Sequence, residues 1–377
     1  MKQKRCIFHI PFYIEKDRHS GSHIRPIQML QAFKDIGYEV DEVIGYGKTR
    51  KQQINKIKER ISQGETYDFL YSESSTMPTL LTEKHHFPSY PTLDFNFFLY
   101  CKKNNIPIGL FYRDVYWKFS HYNKEGSLLK RKVAKFFYRY DLKKYTVLLD
   151  ILYLPSVKMY DYLGIKFNCQ IKALPPGANI INTKERDDFF STKDNIENKK
   201  IKIFYVGGID KDLYNLEGIL QAINEVEDVY FTLCTRKNDW EKVKGEYEQY
   251  IQPRIHVVHG SGKELIPYYK EADILNLYIK PSEYRDFAMP VKLFEYLPYK
   301  KPILSVKGTA AGDFIEKNNI GWSLNYDRKE IVSFLSFIKD NRSELLKKME
   351  NIEEILYNHT WDARARQVAK DLSSLGK

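Results

Sequence analysis

Along the second half of the chain, short apolar runs alternate with stretches where apolar residues recur every three or four positions. Ile203-Phe-Tyr-Val206 reads as a strand ending at Gly207-Gly208, and Leu216, Ile219, Leu220 and Ile223 share one face of the helix that follows. Val229–Leu233, Ile255–Val258 and Ile274–Tyr278 repeat the strand pattern, with helices expected over 238–250 and 264–270. In the first half, Cys6–Ile10 is a strand that runs to Ser20-Gly21-Ser22. A helix follows, carrying Ile27, Leu30 and Phe33 and closed by Gly37, and Tyr38–Val40 resumes a strand. Phe69–Tyr71 and Ile108–Phe111 continue the series. This alternation predicts an α/β protein of two Rossmann-like, doubly wound domains with parallel sheets. The expected domains span residues 1–178, with 360–377 packing back on them, and 195–359.

Ligands of such sheets bind beyond the carboxyl ends of the strands. Gly207-Gly208 and the 281–290 loop both fall there and are expected to converge. Pro290 suits the first position of a helix with Leu293, Phe294 and Leu297 on its apolar face and Pro298 as its limit, before a strand over Pro302–Val306. Free amides at that helix start favour a phosphate, and Glu295, one turn in, can accept hydrogen bonds from ribose hydroxyls. An ordinary helix with a solvated Glu295 is the plainer alternative. In the first half, Ser22 suits an N-cap and Gly21 permits close approach of backbone to a ligand. The absence of Gly-x-Gly-x-x-Gly argues against a nicotinamide dinucleotide.

Phe111-Tyr-Arg-Asp-Val-Tyr-Trp117 also follows a strand. Arg113 is placed to bind phosphate and Asp114 to meet a sugar or acceptor hydroxyl, and these two are the catalytic candidates. Tyr116 and Trp117, as a stacking ring, are acceptor candidates together with Glu73 at the end of Phe69–Tyr71. A buried Arg113–Asp114 network within aromatic packing is the equal alternative.

The Ser-Gly-Ser turn with Arg25, the Gly207-Gly208 turn, the Pro-Val-Lys-Leu-Phe-Glu-Tyr helix and Thr360-Trp361-Asp362 occur in that order. Together they resemble the GT-B glycosyltransferases, especially the retaining bacterial enzymes of glycosyltransferase family 4. The resemblance spans nearly the whole chain, most strongly 201–365 and weakly 40–100. It implies two Rossmann-like domains facing a central cleft, with a final helix crossing back onto the first. It also implies a nucleotide-sugar donor, a UDP-sugar ahead of a GDP-sugar, with no separate cofactor and no metal. Glu295 takes the ribose-binding role, and the loop of Phe287, Ala288, Met289 and Pro290 meets sugar and diphosphate with the backbone N–H groups it has, Pro290 having none. Two departures stand out. The family's first glutamate, eight positions before the ribose-binding one, is Phe287 here. After the glycine turn, Lys211 is the only close basic residue, so Arg236 and Lys292 are candidate substitutes against the diphosphate. Asp210-Lys-Asp212 looks like the metal signature of another glycosyltransferase fold but is expected to bind none.

Charge adds one further feature. The chain of 377 residues has net charge +11, and Lys130, Arg131, Lys132, Lys135 and Arg139 crowd a helical stretch beside Leu128, Leu129, Val133 and Phe136. Such a stretch suits an anionic membrane surface; a solvated helix packing its apolar stripe on its own sheet is the alternative. No nucleic-acid motif accompanies it. The four cysteines have no metal or redox spacing, and no signal peptide or long apolar run is present. A cytoplasmic location, peripheral at the inner face of the membrane, is expected. Transfer to a saccharide or lipid-linked saccharide in cell-surface polysaccharide assembly is the implied activity. A nucleotide-sugar epimerase, or a silent glycosyltransferase-like subunit that binds a partner or membrane, is the alternative.

Overall fold

A computed structural model describes residues 3–14, 21–119, 127–181 and 200–375. The chain forms two compact units, Met1–Gly177 with Trp361–Lys377, and Ala178–Thr360. The first contains β1 (Arg5–Ile10), α1 (Gly21–Asp35), β2 (Glu39–Ile44), α2 (Gly47–Ser62), β3 (Phe69–Glu73), α3 (Leu93–Lys103), β4 (Ile108–Phe111), α4 (Leu128–Leu148), β5 (Ile151–Leu154), α5 (Met159–Leu163) and β6 (Gln170–Ala173). Its six strands are parallel, in the order β2-β1-β3-β4-β5-β6.

The second unit begins with β7 (Ile201–Val206), α6 (Glu217–Glu225), β8 (Val229–Cys234), α7 (Lys237–Tyr247), β9 (Ile255–Val258), α8 (Ile266–Glu271) and β10 (Ile274–Asn276). It continues through α9 (Val291–Tyr296), β11 (Ile303–Val306), α10 (Ala310–Lys317), β12 (Gly321–Leu324), α11 (Arg328–Asp340) and α12 (Ser343–Leu356). Its parallel sheet runs β12-β11-β10-β7-β8-β9. Counted from β9, this is the 3-2-1-4-5-6 order of dinucleotide folds, whereas the first sheet has the 2-1-3-4-5 order extended by one strand. Each order reverses once, between β1 and β3 in the first unit and between β7 and β10 in the second. Those two crevices are where open α/β sheets bind ligands.

Successive strand residues feed opposite faces. Ile201, Ile203 and Tyr205 of β7 join Leu216, Ile219, Leu220 and Ile223 of the α6 region, while Phe204 and Val206 join Leu293, Phe294 and Leu297 on the other side. The last helix, α13 (Trp361–Ser373), returns to the first unit. There Trp361, Val368 and Leu372 pack with Phe8, Phe33 and Tyr153. Gly177 makes that return possible: a Cβ there would lie 2.4 Å from the Trp361 amide nitrogen, so alanine would push the helix start away.

Several local expectations shift. Helix α1 already starts at Gly21, so Ser22 lies inside it and is no N-cap, and Ser20 falls outside the described residues. Its buried face is Arg25, Met29, Ala32 and Phe33, with Ile27 exposed. Pro290 is the N-cap of α9 rather than its first residue, and the helix runs only six residues before a 3₁₀ turn at Leu297–Tyr299. Strand β10 stops at Asn276, two residues short of the expected end.

Candidate functional site

In the second unit, one phenol spans the reversal point. Pairing of β7 with β10 ends at Phe204 and Leu275. Beyond it, the Val206 amide donates to the Tyr296 hydroxyl at 3.4 Å, and that hydroxyl donates to the Asn276 carbonyl at 3.5 Å. Tyr296 therefore bridges the diverging strand ends and fixes α9 there. Glu295 precedes it, half-buried, and accepts from Lys292 Nζ at 2.6 Å. Lys292 also acts electrostatically on Cys234, the last residue of β8, so this ion pair stands at the carboxyl edge of the sheet. Asn276 Nδ2 and Thr235 Oγ1 are buried at the same edge without a protein partner. Unmet buried polar atoms are costly, and they suit a polar ligand.

The other donor candidates divide. The Gly207 amide donates to the Cys234 carbonyl at 3.0 Å, and the Gly208 carbonyl accepts from Tyr205 Oη at 2.7 Å, so the glycine turn is fixed from both sides. Lys211 faces acidic groups, Glu246 at 3.2 Å and Glu217 at 3.6 Å. Arg236 is exposed and caps α7. Phe287 is buried edge-on against Tyr284, and the Ala288 amide is taken by the Tyr284 carbonyl at 3.2 Å. Met289 packs on the core. Because α9 is short, its dipole contributes little; the amides of Val291 and Lys292, which have no intrahelical acceptor, are the donors left at that start. Asp210 Oδ1 accepts the amides of Asp212 at 2.8 Å and Tyr214 at 3.2 Å, a turn-forming role. No three His, Cys, Asp or Glu residues converge as a metal set among the described residues.

In the first unit, the β1–β3 reversal carries polar groups on both faces of the sheet. On one, His9 Nδ1 meets Ser72 Oγ at 2.8 Å and His9 Nε2 meets Asp94 Oδ1 at 2.9 Å. Arg50 grips both oxygens of Asp94, at 2.8 and 2.9 Å. On the other, Glu73 accepts from Arg25 at 3.2 Å, Arg113 at 3.2 Å and Tyr71 at 2.9 Å. Arg113 thus pairs with Glu73, not primarily with its neighbour Asp114, whose Oδ1 takes the Tyr116 amide at 2.7 Å. Glu73, expected to contact the acceptor, is wholly buried and holds arginines. Trp117 is 2% exposed and stacks on Tyr138 with centroids 4.9 Å apart, so it is not presented to a sugar. Tyr116 and Asp114 remain half-buried. Sequence reasoning gave Arg25 no role. Its signal was the spacing Arg25, Met29, Phe33, which puts a cation at the head of an apolar helical stripe.

Helix α4 shows two faces. Tyr138, Asp141, Leu142, Tyr145 and Leu148 are buried. Leu129, Lys132, Val133, Phe136, Arg139, Lys143 and Val147 form an exposed stripe, with Leu129 72% and Phe136 63% accessible. Lys130 is also exposed, while Arg131 and Lys135 are half-buried. The apolar residues of this stripe do not pack on the sheet. Asp141 anchors the opposite face: its Oδ2 accepts the Thr79 amide at 2.7 Å, its Oδ1 is unpartnered, and burial raises its carboxyl to about 7. The folded state therefore binds the Asp141 proton more tightly than the unfolded chain, whose ordinary value is 3.8. Its contribution to stability is complete below about pH 4 and is lost as pH rises through 7. Asp141→Asn should raise the denaturation midpoint at pH 8 and remove this decline; an unchanged pH profile would place Asp141 in water.

No protein-family model matches the chain, and no curated protein matches it in sequence. Solved structures do match in shape. Sucrose-phosphate synthase from Thermosynechococcus elongatus covers 99% of this chain and 99% of its own, with 13% identity and a TM-score of 0.61. Anabaena HepE in complex with UDP-glucose covers 98% and 99%, with 10% identity and a TM-score of 0.62. A glycosyltransferase from Rickettsia africae covers 99% and 98%, with 13% identity and a TM-score of 0.63. End-to-end likeness at such identity speaks to architecture. The chain has the two-sheet GT-B fold of these proteins.

Proposed function

We propose that the protein is a retaining, metal-independent glycosyltransferase of the family 4 type. It takes a sugar from a UDP-linked donor held by the second unit and gives it to a saccharide or lipid-linked saccharide held by the first. The observation that carries this reading is Glu295, one turn into a helix that Tyr296 pins at the reversal point of the second sheet. The fold itself is shared, end to end, with a protein solved with UDP-glucose. Glu295 accepts the ribose hydroxyls, and Lys292 exchanges its partner for a diphosphate oxygen. The α9 amides donate to the same diphosphate, the group on which negative charge grows as the sugar leaves. Arg113 and Asp114 act on the acceptor side. Calorimetric titration with UDP, GDP and dTDP tests the reading: UDP should bind most tightly, and failure of all three to bind would overturn it.

Phe287 favours a second reading. It is buried against Tyr284 where the family resemblance places a sugar-facing glutamate. A silent subunit would bind UDP-sugar without hydrolysing or transferring it. Release of UDP from UDP-glucose over a panel of acceptors separates the two.

The exposed stripe of α4 supports work at an anionic membrane surface, with apolar side chains entering the headgroup region and cations meeting lipid phosphates. No helix among the described residues is long and apolar enough to cross a membrane. Reversing Lys132, Arg139 and Lys143 to Glu should weaken binding to phosphatidylglycerol vesicles at least ~100-fold, at about 1 kcal/mol for each cation removed. Equal sedimentation of wild type and variant would refute the membrane role.

A further inference from the structure

The first sheet's reversal point holds a cationic group in which the donors of Arg25 are only partly used. Arg25 enters from α1, the helix after β1; Glu73 ends β3; Arg113 lies two residues beyond β4; Arg364 comes from α13. The Arg25 guanidinium lies 3.5 Å over the Phe111 ring and 5.7 Å from that of Trp361. Its Nε donates to Glu73, while both terminal nitrogens, Nη1 and Nη2, are buried with no partner, on a residue 3% exposed. Arg113 and Arg364 are near enough to act on it: burial and the Arg25 charge hold the Arg364 guanidinium down at about 10. For Arg113, burial lowers the guanidinium most, Glu73 opposes this, and Arg25 lowers it further. Glu73 is the carboxylate bonded within this group, with Asp114 near Arg113 as a second.

We propose that Arg25, with Arg113 beside it, binds an oxyanion, phosphoryl or carboxylate, carried by the acceptor. The nearby rings and a single bond to Glu73 hold the guanidinium while leaving its outer edge unbonded. That edge, two parallel N–H groups, matches two oxygens of a phosphoryl or carboxylate group. Burial makes unmet donors costly, and an anion converts that cost into binding. The position is the ligand crevice that strand order gives this sheet. Arg113, with 10% of its side chain accessible, and the half-buried Asp114 mark the side open to water. Assignment of the anion to the acceptor rests on the glycosyltransferase reading; the anion site does not.

The test is thermal unfolding of the full chain in sodium chloride, inorganic phosphate or sodium acetate at one ionic strength. Phosphate or acetate should raise the midpoint of the wild type, the more effective ion naming the class. Arg25→Met should abolish that rise and Arg25→Lys should reduce it, with folding checked by circular dichroism. No rise in either ion, or the same rise in wild type and Arg25→Lys, overturns the site. UDP titration of Arg25→Lys settles whose anion is bound. Affinity within threefold of wild type assigns the anion to the acceptor, and a larger loss assigns Arg25 to the donor and overturns the acceptor role. Glu295→Ala should keep the full anion response, so a failure of nucleotide binding is read separately from a failure of this site.

Discussion

Replacing Arg50 by alanine should cost the fold roughly 3–5 kcal/mol, the penalty for leaving one charge of a buried pair alone. Asp94 is inside the first unit, and Arg50 supplies two of its three hydrogen bonds, His9 the third. The same guanidinium donates to the Pro11 carbonyl at 3.2 Å and to that of Gly45, tying the end of β1 to the start of α2. Denaturant unfolding followed by circular dichroism measures the loss; a drop below about 1 kcal/mol would mean that water reaches Asp94. The wild type should weaken in acid in two stages. Burial holds the His9 imidazole below its ordinary 6.5, so from there downward the unfolded chain takes a proton that the folded one refuses. Hydrogen bonds from His9 and the charge of Arg50 outweigh burial and hold Asp94 near 2, against an unfolded 3.8. Its contribution is present above that unfolded value and is lost as pH falls through about 2.

Glu295→Ala should weaken UDP binding by roughly 1–3 kcal/mol, about 5- to 150-fold, if its carboxylate accepts ribose hydroxyls. The Lys292 ion pair makes this test sharper than a simple deletion. Without Glu295, the ammonium is freed toward the diphosphate, which offsets part of the loss for UDP but none for uridine. The fold-loss for uridine should therefore exceed that for UDP. Glu295→Gln keeps one acceptor oxygen and should fall between. Equal affinity of wild type and alanine variant for both ligands would end the ribose assignment.

The fold was legible where periodicity was strong. Leu216, Ile219, Leu220 and Ile223 are all buried on one helical face, and β7, β8 and β9 sit where short apolar runs predict them. Residues 40–100 were harder because α2 buries only Ile54 and Ile57 among its apolar side chains and otherwise reads as polar. Helix α1 misled in another way. Its core face includes an arginine, so an apolar template chose Ile27 over Arg25. In the candidate site, Glu295 and Lys292 stand out in the sequence as members of a short motif, but the pairing of their side chains does not. Trp117 and Glu73 are both buried, which the sequence did not reveal, because a strand end says where a residue lies along the sheet, not whether its side chain turns inward. The two polar networks at the β1–β3 reversal join residues up to 85 positions apart, beyond the reach of local spacing.

The Tyr296 phenol has a consequence for how such a protein can diversify. The helix bearing Glu295 is bonded through that phenol to two strand ends. On the ribose reading, changes of length or sequence in residues 281–289 can therefore retune which hexose is accepted while the grip on the nucleoside persists. On that same reading, sugar preference and the hold on the nucleoside are separable traits, free to evolve one at a time.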